Sequence, residues 1–290
     1  MSRAESSPLP VMDALVITLV LGSALMHAAW NYLIKAGQDK LLDSTTFACV
    51  ASALALPLLP FLPAPNPAAW PWLGCSVLLH VAYFLALVKA YQASDLSLAY
   101  PVMRGLAPAM VTLVSVALGR ELSTGVMVGV VLVVSGVVLP AALSIWRTGT
   151  PLASLKWAAG NAVLIATYTL VDAQGVKASG SAASYTAWLF FLDAFLILGV
   201  ALWRRGQSTW AYMAQRWRGG VAASVLSMTS YGVVLWAMTV APVPAVASLR
   251  ESSVVFAALL GGTLLKEKDR ATRMGGAVLV ALGAASFRLF

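Results

Sequence analysis

Ten apolar stretches follow one another along this 290-residue chain with almost nothing between them. They run at about 11–34, 44–62, 70–92, 97–118, 124–145, 154–176, 183–203, 217–239, 244–265 and 271–289. Nearly all reach the roughly 20 residues that an α-helix needs to cross a hydrocarbon core. Hydrophobic residues make up 60% of the chain and charged residues 10%, with a mean hydropathy of +0.84. A soluble domain carries about 25% charge, so the excess apolar surface must face lipid. The pattern predicts an all-α membrane protein of ten transmembrane helices, with gaps too short for a soluble domain. The first stretch lacks a basic n-region and exceeds the length of a signal-peptide core, which predicts a retained helix.

The net charge of +8 does not point to nucleic acid, because the basic residues sit in short gaps rather than in one patch. Assigned alternately to two sides, the gaps divide them thirteen against four. The richer set includes Lys35, Lys40, Arg204, Arg205, Arg216, Arg218 and Lys266. The positive-inside rule places that set in the cytoplasm and both termini outside.

Few enzyme signatures are present. His27 and His80 stand 53 residues apart with no HExxH, so no metal site is expected. Paired acids of the kind that hold Mg²⁺ on phosphates are missing. Without a GxxxxGKS-type loop, neither a nucleotide cofactor nor an ATP-binding partner is expected. Cys49 and Cys75 lie inside apolar stretches and predict no disulfide. An intramembrane enzyme acting on lipid-linked substrates and a passive solute channel stand as alternatives to a carrier.

A faint internal repeat crosses the chain. "HAAWNYLIKAG" at 27–37 aligns with "IATYTLVDAQG" at 165–175, and "ALGRELSTGVMVG" at 117–129 with "TLLKEKDRATRMG" at 263–275. In the latter register Arg104 falls on Arg250. The unit is five helices, over 1–148 and 149–290. An odd number inverts the second copy, a plan found in many secondary transporters.

Ten helices, two five-helix repeats and the Arg-Glu or Lys-Glu pair after each fourth helix resemble the drug/metabolite transporter superfamily. Gly129, Gly136, Gly275 and Gly283 in the fifth helices fit its EamA-type branch, and within it the chain is similar to YddG-type exporters of aromatic and neutral amino acids. The resemblance implies a bacterial inner-membrane protein that exports a small organic solute by alternating access. It also implies a central cavity lined by helices 1, 3, 4, 6, 8 and 9, with helices 5 and 10 packed outside.

The fourth helix holds "SLAYPVMRGLAPAM", residues 97–110, with Pro101, Arg104 and Pro108 in one run. Its counterpart holds Pro244, Arg250 and Glu251. Prolines in a membrane helix are tolerated where neighbours or a wet cavity re-satisfy the freed carbonyl. The arginines either snorkel or stand at opposite ends of a cavity as gates or substrate contacts, Arg104 cytoplasmic and Arg250 outer. Glu251 adjoins Arg250 but, at helical spacing, points about 100° away.

Helical spacing also collects polar and aromatic stripes. His27, Trp30 and Asn31 share a face of helix 1 with Ser23. His80 and Tyr83 share one on helix 3, and Tyr100 lies one turn before Arg104. Tyr168 stands with Asn161 and Asp172 on helix 6, and Ser248 with Glu251 and Ser252 on helix 9. Helices 2, 5 and 10 read as plainer. Such stripes line a pocket for an amphipathic solute or glue helices together. Of the intramembrane acids, Asp172 reads as wet at the end of helix 6 and Asp193 as central in helix 7. They leave proton coupling and facilitated diffusion both open.

Overall fold

The computed structural model describes residues 12–35, 39–93, 96–149, 151–256 and 270–289. Among the described residues all regular structure is helical. The helices are α1 (Ala14–Lys35), α2 (Lys40–Ala55), α3 (Trp70–Ala93), α4 (Leu96–Ala117), α5 (Thr124–Thr148), α6 (Lys156–Ser179), α7 (Ala182–Arg205), α8 (Ser208–Val240), α9 (Val243–Arg250) and α10 (Arg270–Leu289). Seven helical stretches are long and apolar enough to cross a membrane: α1, α2 with its 3₁₀ extension, α3 with its 3₁₀ lead, α4, α5, α7 and α8. α6 has 24 residues, but Asn161, Asp172 and Lys177 dilute its apolar character.

Helix ends depart from the hydropathy reading where polar residues cap them. Asp39 accepts from the backbone N–H groups of Leu41 and Leu42, and so starts α2 at Lys40 rather than 44. α7 begins after Ser181, whose hydroxyl accepts from Ser184 N. The expected gap at 204–216 shrinks to Gly206 and Gln207, because α8 starts at Ser208 and runs 33 residues. At 1.5 Å per residue that helix is about 50 Å long, well beyond a hydrocarbon core of about 30 Å. α9 has only eight residues. It stops at Glu251, and helix resumes over 252–256; the remainder of the expected 244–265 stretch, with Lys266 and Glu267, lies outside the described residues.

The helix contacts include α1 with α8, α3 with α6, α2 with α7, α4 with α9, and α5 with α10, while α4 packs more extensively on α6 and α5, and α2 also packs on α8. α5 and α10 meet through glycine. A Cβ on Gly136 would lie 2.6 Å from the Gly276 carbonyl oxygen, and one on Gly283 would lie 2.8 Å from that of Gly129. Gly275 has nothing within 4 Å of a Cβ, and the seam runs through Gly276. Side chains such as Leu113, Leu118, Trp146 and Trp203 point outward, as a lipid-facing surface requires. α2 is less plain than expected: Asp43, Ser44, Thr45, Thr46 and Ser52 are all buried.

Bonds between loops sort the helix ends. Arg205 donates from Nε to Asp39 Oδ2 at 3.0 Å, and Tyr212 donates to Asp43 at 2.9 Å. These contacts put the α1–α2 and α7–α8 connections on one face. Ser184 donates to the Pro63 carbonyl, and Asn66 Nδ2 to that of Ala178. Met12 N donates to the Phe287 carbonyl at 3.1 Å, joining the start of α1 to the end of α10.

Candidate functional site

Two clusters of charge occupy the interior, one buried and one partly buried, separated by two tyrosine rings. The first is a carboxylate between two guanidiniums. Glu251 Oε2 lies 2.6 Å from Arg104 Nε, and Oε1 lies 3.5 Å from Arg250 Nε. All three side chains are at most 3% exposed. Arg104 comes from α4, Arg250 ends α9, and Glu251 sits in the break that follows. Glu251 N bonds Ser248 O, and Val254 N bonds Glu251 O, each at 3.0 Å. These tight i→i+3 turns set adjacent residues about 120° apart, so the Arg250–Glu251 contact at 3.5 Å is made by the reach of the two long side chains.

This geometry corrects two expectations. Arg104 and Arg250 do not stand at opposite ends of a cavity; one carboxylate ties both. Nor do they snorkel, since both are buried. The reason lies in where they fall along their helices. Arg104 is the ninth residue of α4, about 13 Å from its start, which is closer to the middle of a membrane than to either surface.

The second cluster is an imidazole between two carboxylates. His80 Nδ1 lies 3.1 Å from Asp193 Oδ2, and Nε2 lies 3.9 Å from Asp172 Oδ2. Asp172 is fully buried rather than wet. Both its oxygens accept from tyrosine, Oδ1 from Tyr185 at 2.9 Å and Oδ2 from Tyr231. Gly175 makes the room, because a Cβ there would strike the Tyr185 ring.

Tyr168 and Tyr231 lie between the clusters. The Arg250 Cζ sits 5.9 Å from the Tyr168 ring and 6.0 Å from the Tyr231 ring, within cation–π range. His80 faces the same two rings at 4.7 and 6.1 Å. Tyr83 approaches Tyr168 edge-on at 5.8 Å, and Tyr100 and Tyr83 pack in the same cluster. Several buried polar atoms here have no hydrogen-bond partner among the described residues, including Arg104 Nη2, Asn161 Oδ1 and Asp193 Oδ1. Such atoms are costly unless water or a ligand meets them.

The other sequence candidates are placed differently. Trp30 donates to His27 Nδ1 at 3.2 Å and stacks on Phe47, in an aromatic group with Phe190, whose ring meets Tyr231 edge-on at 6.3 Å. Asn31 donates to the His27 carbonyl, and Ser248 to that of Pro244, so both use a donor inside their own helix. Pro101 and Pro108 lie within α4, which continues helical through both. Pro244 sits in the first turn of α9, where the missing N–H costs nothing. Tyr231, Tyr185 and the Asp39–Asp43–Tyr212–Arg205–Arg216 group were missed. α8 did carry a legible stripe in Ser224, Ser227, Ser230 and Tyr231, at three- and four-residue spacing. Beside Asp43 and Arg216 a pocket of about 30 Å³ opens. It has room for water but not for an organic solute. No group of three or more His, Cys, Asp or Glu among the described residues could hold a metal ion.

Ionised groups and tyrosines buried inside a lipid-facing helical bundle mark an integral membrane protein that handles a polar species within the bilayer. The sequence pattern of the EamA-like transporter family matches residues 14–141 and again residues 152–288. The chain belongs to that family, whose members are membrane transporters of small-molecule solutes. A solved structure, titled only as the crystal structure of a protein, shares the fold with a TM-score of 0.66 at 16% identity, covering 94% of each chain. No curated protein matches the chain.

Proposed function

We propose that this protein is a secondary transporter that exports aromatic or neutral amino acids, or closely related metabolites, by alternating access. The observation that carries the reading is the Arg104–Glu251–Arg250 cluster set against tyrosine. One carboxylate offsets only one of the two guanidiniums, and Arg104 Nη2 is left without a partner among the described residues. A guanidinium fork suits a solute carboxylate. Tyr83, Tyr100, Tyr168 and Tyr231 supply apolar walls for the remainder of the solute. Arg104 and Arg250 would bind the carboxylate, and helix 9, broken at Glu251, would move with it.

The same reading takes the chain as ten membrane helices in two inverted halves, 1–148 and 149–290. Support comes from the pairing. α1 on α8 and α3 on α6 are the same contact seen from each half, and α2–α7, α4–α9 and α5–α10 each join equivalent helices. In α5 and α10, Gly129 meets Gly283 while Gly136 meets Gly276, as a two-fold axis in the membrane plane would require. The basic residues then put the Arg205–Asp39 face in the cytoplasm of a bacterial inner membrane, with both termini outside. Cysteine at Gln207, in a chain with Cys49 and Cys75 replaced by serine, should resist an impermeant thiol reagent added to intact cells. Cysteine at Ala64 should react. The reverse pattern overturns the orientation.

Transport itself is tested with the purified chain in liposomes loaded with unlabelled L-phenylalanine. External labelled L-phenylalanine should enter by counterflow. Tyr168→Ala and Arg104→Gln should each lower the rate at least about tenfold, the loss of roughly 1.4 kcal/mol from one charged hydrogen bond or ring contact. Wild-type rates in both variants would place the solute path elsewhere. A chemically altered product would instead favour an enzyme.

A further inference from the structure

Solute recognition leaves the His80 cluster without a task. It is not explained as structural glue. Asp172 is already satisfied by two tyrosine hydroxyls. Asp193 is ion-paired with His80 alone at 3.1 Å, and neither its Oδ1 nor His80 Nδ1 makes an aligned hydrogen bond among the described residues. An interior ion pair of this kind is expensive and adds little stability over apolar packing.

We propose that His80, Asp193 and Asp172 form a proton-binding site that couples solute movement to the proton gradient. The inference rests on the transport reading. The groups facing His80 are Tyr168 and Asp172 from α6, Asp193 from α7, Tyr231 from α8 and Arg250 from α9, with Tyr83 one turn along its own helix and Tyr185 of α7 bonded to Asp172 behind it. Formal charge shows why one proton belongs here. With His80 protonated and both aspartates ionised, the cluster carries one net negative charge. The Arg104–Glu251–Arg250 cluster carries one net positive charge, and the two clusters together are neutral. Loss of the proton leaves an uncompensated negative charge in the membrane, which is costly. A neutral zwitterionic solute adds no net charge, so a change of conformation that opens the cluster to water must offset that charge.

The step itself is simple. On release the Nδ1–H bond breaks, its electron pair stays on the ring nitrogen, and the proton passes to water on whichever side is open. Rebinding from the other side completes one proton carried per cycle. Tyr168 and Tyr231 touch both clusters, so the solute and the proton site share two walls.

The test uses the full chain in liposomes, with the membrane potential clamped by valinomycin and potassium. At equal pH, Asp193→Asn should keep L-phenylalanine counterflow near the wild-type rate. With a gradient of one pH unit, the wild type should accumulate labelled L-phenylalanine against its gradient, with a ceiling of about tenfold for one proton per solute. Asp193→Asn should show no such gain. Wild-type counterflow unaffected by the pH gradient overturns the proposal, and so does a gain retained by the variant. Infrared titration of the purified protein without solute gives a second measurement. A pH-dependent imidazole band accompanied by a shift of a carboxylate band should be present in the wild type, and the carboxylate shift should be lost in Asp193→Asn. Identical titrations overturn the proton site. If the wild type shows no counterflow, the transport reading fails by itself, and the infrared result alone decides whether the cluster binds a proton.

Discussion

Glu251→Ala is expected to stop transport and to lower the melting temperature of the detergent-solubilised protein by roughly 10 °C. Glu251 is the counter-ion for two guanidiniums, at 2.6 and 3.5 Å, and all three groups are buried. Its removal leaves two like charges facing each other without water. Breaking a buried pair from one side costs about 3–5 kcal/mol, far more than the pair contributes over an apolar replacement. The double variant Arg104→Gln with Glu251→Gln separates the two effects. It leaves Arg250 as a single cation, the same formal charge as the native cluster. Most of the melting temperature should return, while transport stays lost because the fork for the solute carboxylate is gone. Fluorescence-detected size-exclusion after heating measures the first effect and liposome counterflow the second. An unchanged melting temperature in Glu251→Ala would mean that the cluster is wet and that its charges are screened.

The membrane class was legible because it depends on a sum over the chain, the excess of apolar surface beyond what a core can use. Helix ends were less legible because they depend on single polar residues. Asp39 extends α2 by capping it, and the mixed segment of α8 from Ser208 reads as a gap although it is helical. His80, Tyr83, Tyr100 and Tyr168 were visible as mid-helix polar and aromatic residues, and the structure brings them close together. The partners of His80 were not visible. Asp193 lies 113 positions further on, and Tyr231 reaches Asp172 across 59. Nothing in helical periodicity pairs residues at such distances. The arginines show a different limit. Their place two turns into each fourth helix was read correctly, but the break at Glu251 is a backbone event. That break sets the backbone from which Glu251 reaches both Arg104 and Arg250.

The largest purely structural effect is expected at the α5–α10 seam. Gly136→Val should abolish the folded, monodisperse protein, while Gly275→Ala should leave melting temperature and counterflow unchanged. The contrast follows from what each new side chain meets. At Gly136 the first added carbon would sit 2.6 Å from a backbone oxygen of α10, with Val280 Cγ2 at 3.0 Å and Leu279 Cβ at 3.1 Å. Backbone cannot rotate away as a side chain can, so the two helices must separate. Overpacking a tight interior already costs about 1–3 kcal/mol where side chains can give. Here the whole seam gives, because Gly129, Gly276 and Gly283 hold the same close approach along it. Small residues are how membrane helices gain van der Waals contact, since lipid already satisfies their apolar surface. Gly275 points into open space, so alanine there adds helix propensity and meets nothing. Helices α5 and α10 carry none of the residues assigned to the solute or proton sites. A milder Gly129→Ala variant that stays folded should therefore melt earlier yet transport at the wild-type rate below its melting temperature. If Gly136→Val folds with an unchanged melting temperature, α5 and α10 do not pack through these glycines, and the two-fold relation drawn from their pairing loses its strongest support.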